Sequence, residues 1–253
     1  MTLMSPTPRP LIAGNWKMNG LSAALDEARA VAAGLDSQPA AARVAIFPPA
    51  TLLHRLAQAV EGSFVLTGGQ DCHGAVSGAH TGDISAEMIA DAGATMVIVG
   101  HSERRTDHGE TCQLVAGKAE AAIAAGLEPI VCVGESLAQR EAGEAVAFVI
   151  NQLHNSLPLS LAGKAFNVAY EPLWAIGTGH VASVDNIVEM HAAIRAELIS
   201  LFGEQGRTIP ILYGGSVKPD NAREILAAAE VGGALVGGAS LKAKDFLAIV
   251  EAA

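Results

Sequence analysis

Short apolar runs rich in Val and Ile alternate along the whole chain with longer stretches in which apolar side chains recur at helical spacing. The short runs predict strands at Leu11–Trp16, Arg43–Phe47, Phe64–Gly68, Met96–Val99, Pro129–Val133, Asn167–Tyr170, Ile209–Tyr213 and Ala234–Val236, with Gly or Pro at or near their ends. The longer stretches predict helices at Leu21–Ala33, Thr51–Val60, Ala86–Ala92, Thr111–Ala125, Glu144–Leu153, Val184–Phe202, Asn221–Ala229 and Lys242–Val250. In the sixth of these, Ile187, Met190, His191 and Ile194 share one face behind the capping residue Ser183, while Glu189 and Arg195 lie elsewhere.

Strands that are apolar throughout, rather than alternating with polar residues, suit a parallel sheet covered on both faces. Eight of them in strict alternation with helices predict an α/β fold, a single (β/α)8 barrel of eight parallel strands over residues 1–253, with 1–9 as an extended lead-in. An open dinucleotide-binding sheet would carry G-x-G-x-x-G after the first strand, where this chain has Asn15-Trp-Lys-Met-Asn19.

Composition narrows the class without changing the fold. Half of the 253 residues are hydrophobic, yet no apolar run approaches 18 residues, so no membrane span is expected. The first ten residues lack the basic start and apolar stretch of a secretory signal. Cys72, Cys112 and Cys132 are odd in number and show no ligand spacing, which predicts reduced core thiols and a cytoplasmic protein. A net charge of -10 disfavours nucleic acid and acidic membranes as partners. A small anion is still compatible, because a local cradle of backbone N–H groups and one Lys outweighs a distant acidic surface.

In such a barrel the strand carboxyl ends and the loops behind them build the active site. Lys17 follows the first strand and reads either as a cation for an anionic substrate or as a surface Lys with its head in water. His101 ends the fourth strand in Gly100-His-Ser-Glu-Arg-Arg105, with Ser102 suited to cap a helical turn. Helix-start N–H groups beside His101 would disfavour its charged form; the alternative is a capped turn with an Arg/Glu salt-bridge cluster. Glu171 ends the sixth strand ahead of the Gly-rich stretch Pro172 to Gly179. That arrangement suits a base at a water-excluding mouth with a lid attached, or a buried Glu paired to a cation. Tyr213-Gly-Gly-Ser-Val217 and Val236-Gly-Gly-Ala-Ser240 follow the last two strands, where barrels commonly bind phosphate on closely approaching backbone.

Seven ordered segments resemble the triosephosphate isomerase family over essentially the whole length: Gly14-Asn-Trp-Lys-Met-Asn19, Gly69-Gln-Asp71, Gly100-His-Ser-Glu-Arg-Arg105, Val131-Cys-Val-Gly-Glu135, Tyr170-Glu-Pro-Leu-Trp-Ala-Ile-Gly-Thr-Gly179, Tyr213-Gly-Gly-Ser-Val217 and Val236-Gly-Gly-Ala-Ser-Leu241. The resemblance implies interconversion of dihydroxyacetone phosphate and D-glyceraldehyde 3-phosphate in glycolysis and gluconeogenesis, through an enediolate and with no cofactor or metal. It implies Glu171 as base and His101 as neutral electrophile. Asn15 and Lys17 would stabilise the developing anion, with Glu103 positioning Lys17. Backbone N–H groups of Gly177, Ser216, Gly237 and Gly238 would hold the phosphate, and a lid hinged at Pro172–Trp174 and Gly177–Gly179 would exclude water.

The segment Gln70 to Asp83 resembles the family's interface loop, implying a homodimer in which Thr81 reaches the other subunit's active site. Leu173, His180, His80 and His108 depart from residues usual in the family, and none is a direct chemical group. A paralogous isomerase of a tetrulose phosphate would share the base and the phosphate grip and differ in room for one hydroxymethylene. A noncatalytic barrel would be expected to have lost the base or the electrophile, and both stand in this sequence.

Overall fold

The computed structural model describes residues 8–176 and 182–253. Strands β1 (Leu11–Asn15), β2 (Arg43–Phe47), β3 (Val65–Gly69), β4 (Met96–Val99), β5 (Glu128–Val133), β6 (Asn167–Tyr170), β7 (Ile211–Tyr213) and β8 (Gly233–Val236) run parallel, each paired to the next. β8 pairs with β1, so the sheet closes into a barrel. Every expected strand is present; β2, β4 and β6 have the expected bounds, and the other five are shifted by one or two residues at one or both ends. Phe64 stands outside β3 and is 65% exposed. β7 begins at Ile211 because Pro210 has no N–H for the ladder, and β5 gains Glu128 at its start.

The helices are α1 (Leu25–Ser37), α2 (Ala50–Ala59), α3 (Ala86–Asp91), α4 (Ser102–Asp107), α5 (Cys112–Ala124), α6 (Leu137–Glu141), α7 (Ala145–Ser156), α8 (Val184–Phe202), α9 (Ala222–Leu226) and α10 (Ala243–Val250). The short α4 is the helical turn expected behind His101, whereas α6, five residues long, carries too little periodicity to read. The Asn221 to Ala229 stretch is helical only over α9. Ser183 caps α8 as expected, its hydroxyl accepting the Asn186 N–H at 3.2 Å, and Ile187, Met190, His191 and Ile194 are buried.

The strands read as unbroken apolar runs because both faces are buried. Leu11, Ala13, Ala45, Phe47, Met96, Ile98, Ile130, Cys132, Ala169, Leu212 and Leu235 fill the barrel interior. The alternate residues, such as Ile12, Val44, Val97, Val131 and Val168, pack outward against the helices. Continuing this period of two past the apolar layers carries polar side chains to the barrel ends. Arg43, Glu128 and Asn167 precede Ala45, Ile130 and Ala169 at the amino end, while Asn15 and Glu171 follow Ala13 and Ala169 at the carboxyl end. The three cysteines are free, and among the described residues no helix is long and apolar enough to cross a membrane.

Candidate active site

Glu171 is 1% exposed at the end of β6. Its backbone sits so close to the β5 end that a Cβ at Gly134 would lie 1.7 Å from its carbonyl oxygen, and its N–H donates to Val133 O at 2.7 Å. A Cβ at Gly214 would lie 2.8 Å from the Glu171 Cγ, and one at Gly215 would lie 2.2 Å from the Tyr213 hydroxyl. In the first Gly pair, Gly214 is therefore needed for packing around Glu171 and Gly215 for packing against the Tyr213 ring. In the second pair, a Cβ at Gly238 would meet nothing and one at Gly237 only Lys17 Cε at 3.6 Å, so this turn borders open space.

The Glu171 Oε1 lies 2.8 Å from His101 Nε2, and Oε2 accepts the Ser102 N–H at 3.0 Å. Ser102 also donates its hydroxyl to Oε1 at 3.3 Å. Ser102 is thus not the cap that its residue type suggested; it is the first residue of α4, and both its donors go to Glu171. The cap is His101, whose Nδ1 accepts the Glu103 N–H at 3.2 Å. A backbone N–H can only donate, so Nδ1 is unprotonated and a neutral ring carries its proton on Nε2, toward the carboxylate.

Burial pushes the Glu171 carboxyl up, but His101 and the Ser102 N–H together outweigh it and hold the group below its ordinary value. Burial favours neutral His101, and the Glu171 carboxylate more than reverses this, raising the imidazole above its ordinary value. Both directions rest on one contact. Separating the imidazole from the carboxylate leaves His101 with burial and a filled Nδ1, each favouring the neutral form.

Lys17 takes a left-handed backbone conformation with φ 54°, a strain of about 1–3 kcal/mol for a residue with a Cβ. It is held from both sides: its N–H donates to Asn15 Oδ1 at 3.0 Å, and its carbonyl accepts Gln70 Nε2 at 2.9 Å. Its ammonium pairs with Glu103. The alternative reading of the Gly100 to Arg105 turn holds as well. Arg104 pairs with Glu110 and Asp71, and Arg105 donates to the carbonyls of Gly100 and Cys132.

A cleft of about 920 Å3 opens at this end, lined by Asn15, Lys17, His101, Glu103, Glu171, Ser216, Gly237 and Gly238 among others. Every described residue expected in the site is there except Thr81, which is exposed on the loop after β3. Gly177, with Thr178, Gly179 and His180, lies outside the described residues. Sequence reasoning missed Glu135, which is fully buried and accepts from Trp174 Nε1 at 2.9 Å, the Tyr170 hydroxyl at 3.0 Å and Arg140 Nε at 3.1 Å. Its carbonyl also accepts the Leu173 N–H at 3.0 Å, so it anchors the chain just past Glu171. The signal was present: Glu135 follows an apolar strand after one intervening residue, as Glu171 follows one directly.

A closed (β/α)8 barrel whose carboxyl end gathers a buried carboxylate, an imidazole and an ammonium around an open cleft belongs to the barrel enzymes that move protons on small substrates. The family model described as triosephosphate isomerase matches residues 10–253. The chain is 81% identical over 252 residues to a triosephosphate isomerase of Caulobacter vibrioides, covering 100% of both chains. It is 57% identical to that of Xanthobacter flavus, over 98% of this chain and 99% of the other. The crystal structure of triosephosphate isomerase from Bartonella henselae superposes with a TM-score of 0.91 at 46% identity, covering 97% of this chain and 99% of that one. The chain belongs to the triosephosphate isomerase family.

Proposed function

We propose that the chain interconverts dihydroxyacetone phosphate and D-glyceraldehyde 3-phosphate with Glu171 as the base that moves a proton between adjacent carbons. His101 donates from Nε2 to the carbonyl oxygen and shuttles protons between the two enediolate oxygens. The Lys17 ammonium, positioned by Glu103, and the Asn15 amide hydrogens stabilise the anion as it forms. Backbone N–H groups of Ser216, Gly237, Gly238 and Gly177 hold the phosphate.

The observation that carries this reading is the 2.8 Å contact between Glu171 and His101 at the cleft. A substrate that enters between them takes a donor from one and meets a base in the other. Leaving His101 and Ser102 removes what lowers the Glu171 pKa and retains the burial that raises it, so the carboxylate becomes a stronger base as the substrate seats. The lid starts at Pro172, and residues 173 and 174 are tied to Glu135, so lid movement and carboxylate movement are transmitted through one residue.

A coupled assay tests the reading: triose phosphate should be turned over with a far higher kcat/KM than a tetrulose phosphate. Folded protein with no triose phosphate turnover above buffer would refute it.

We also infer a cytoplasmic homodimer. Met18, next to Lys17, is 95% exposed, and Val76 on the loop after β3 is exposed too, apolar surface that a second copy would cover. Thr81→Arg should yield monomers of low activity; full activity in sedimentation-verified monomers would overturn the role of Thr81.

A further inference from the structure

We propose that the loop between β3 and α3 carries a binding site for a divalent transition metal, built from His73, His80 and Asp83 and lying outside this chain's own catalytic cleft. Each of these residues brings one ligand atom within 4.8 Å of the others, the one such group among the described residues. Nitrogen and oxygen ligands sit about 2.0–2.2 Å from an ion such as zinc, so a small contraction of this triangle encloses one. Water completes the coordination shell.

The loop is shaped before any ion arrives. At its base the His73 N–H donates to Ile84 O at 2.8 Å, and His73 forms a bridge with Ser85. At its tip the Asp83 N–H donates to His80 O at 3.0 Å. The two imidazoles lie with centroids 4.0 Å apart at 33°. Behind His80 a Cβ at residue 78 would lie 3.1 Å from the ring, and Gly78 has φ +148°, so only glycine lets the backbone close in there. Contacts on two sides therefore fix the His80 ring. Two imidazoles and one carboxylate are borderline donors that favour zinc, cobalt or nickel over magnesium or calcium, which demand more oxygen.

Binding has a local signature. His73 Nδ1 now accepts the Ala75 N–H at 3.0 Å. Whether the ion takes Nδ1 itself or takes Nε2 and drives the ring proton to Nδ1, that bond is lost and the Ala75 amide is released. All three ligands come from one chain, so stoichiometry is one ion per chain in any assembly.

The test is a calorimetric titration of untagged, chelator-stripped protein with Zn2+, Co2+ and Mg2+, alongside the Ala75 amide resonance. One Zn2+ or Co2+ per chain, no Mg2+ and a shifted Ala75 amide are expected. His80→Phe and Asp83→Asn should each weaken Zn2+ binding about tenfold or more, and His54→Gln and His108→Phe, at exposed histidines outside the loop cluster, should leave it unchanged. Equal binding by wild type and His80→Phe with unchanged circular dichroism, loss of binding in the control variants, or no Zn2+ uptake would each overturn the site.

Discussion

The inward face of β6 ends in a polar residue on both sides of Ala169: Asn167 at the amino mouth of the barrel and Glu171 at the carboxyl mouth. At the amino mouth, Asn167 Nδ2 donates to Glu128 Oε1 at 2.8 Å, and the Arg43 guanidinium grips both Glu128 oxygens, with Nη1 at 2.9 Å. At the carboxyl mouth, Glu171 receives the imidazole of His101 and both donors of Ser102. Glu171 is buried and Glu128 mostly so, and both carboxylates are hydrogen-bonded and held below their ordinary pKa. Their partners differ. Arg43 keeps its charge at any ordinary pH and binds through a fixed fork, whereas His101 can give up a proton and stand aside for a substrate. Burial of a carboxylate therefore serves the frame at one mouth and chemistry at the other, and the titratability of the partner decides which.

Exchanging the two glutamates for glutamine should separate these roles. Glu171→Gln is expected to lower kcat/KM by about 10²–10⁴-fold in protein that still folds, since the amide oxygen still accepts from Ser102. A loss confined to stability would place Glu171 in the frame instead. Glu128→Gln should do the reverse, costing about 1–3 kcal/mol in urea unfolding, less than a fully buried pair because Arg43 is partly exposed, with kcat/KM per folded molecule unchanged. Equal stability of this variant and wild type would remove the contrast between the mouths.

Acid should act on the amino mouth in a defined sense. Burial pushes Glu128 up, but Arg43 and Asn167 pull it below its ordinary 4.5, so its stabilising contribution is complete above 4.5 and is lost as the pH falls through the folded value. Urea midpoints measured from pH 6 downward, through 4.5, should fall less in Glu128→Gln than in wild type. Parallel curves would exclude the linkage. The smallest effect is expected for Ser102→Ala, which removes a 3.3 Å hydroxyl contact and keeps the N–H bond. One such bond is worth about 0.5–1.5 kcal/mol, so kcat/KM should change by about tenfold at most. A loss as large as that of Glu171→Gln would make Ser102 a participant in the chemistry.

The barrel was legible because strands buried on both faces leave unbroken apolar runs, and the site was legible at Asn15, Lys17, His101 and Glu171 because each ends or follows such a run. What escaped was set by distant partners. Ser is the commoner cap, and only the arrival of Glu171 from 69 positions away claims the Ser102 donors and leaves capping to His101. Likewise Arg43 and Glu128 meet across 85 positions, a pairing fixed by closure of the barrel rather than by either strand. Phe64 reads as strand by composition and lies outside it because sheet pairing starts one residue later.

On the proposed mechanism, the proton that Glu171 moves exchanges with solvent while the substrate is bound. Wild type and Glu171→Gln should be run from dihydroxyacetone phosphate in D2O, with the deuterium at C2 of the product measured by NMR. Solvent deuterium at C2 with wild type, and loss of both turnover and labelling in Glu171→Gln, are expected of this mechanism. Product that keeps the substrate's own hydrogen throughout, formed at an undiminished rate by folded Glu171→Gln, would contradict it.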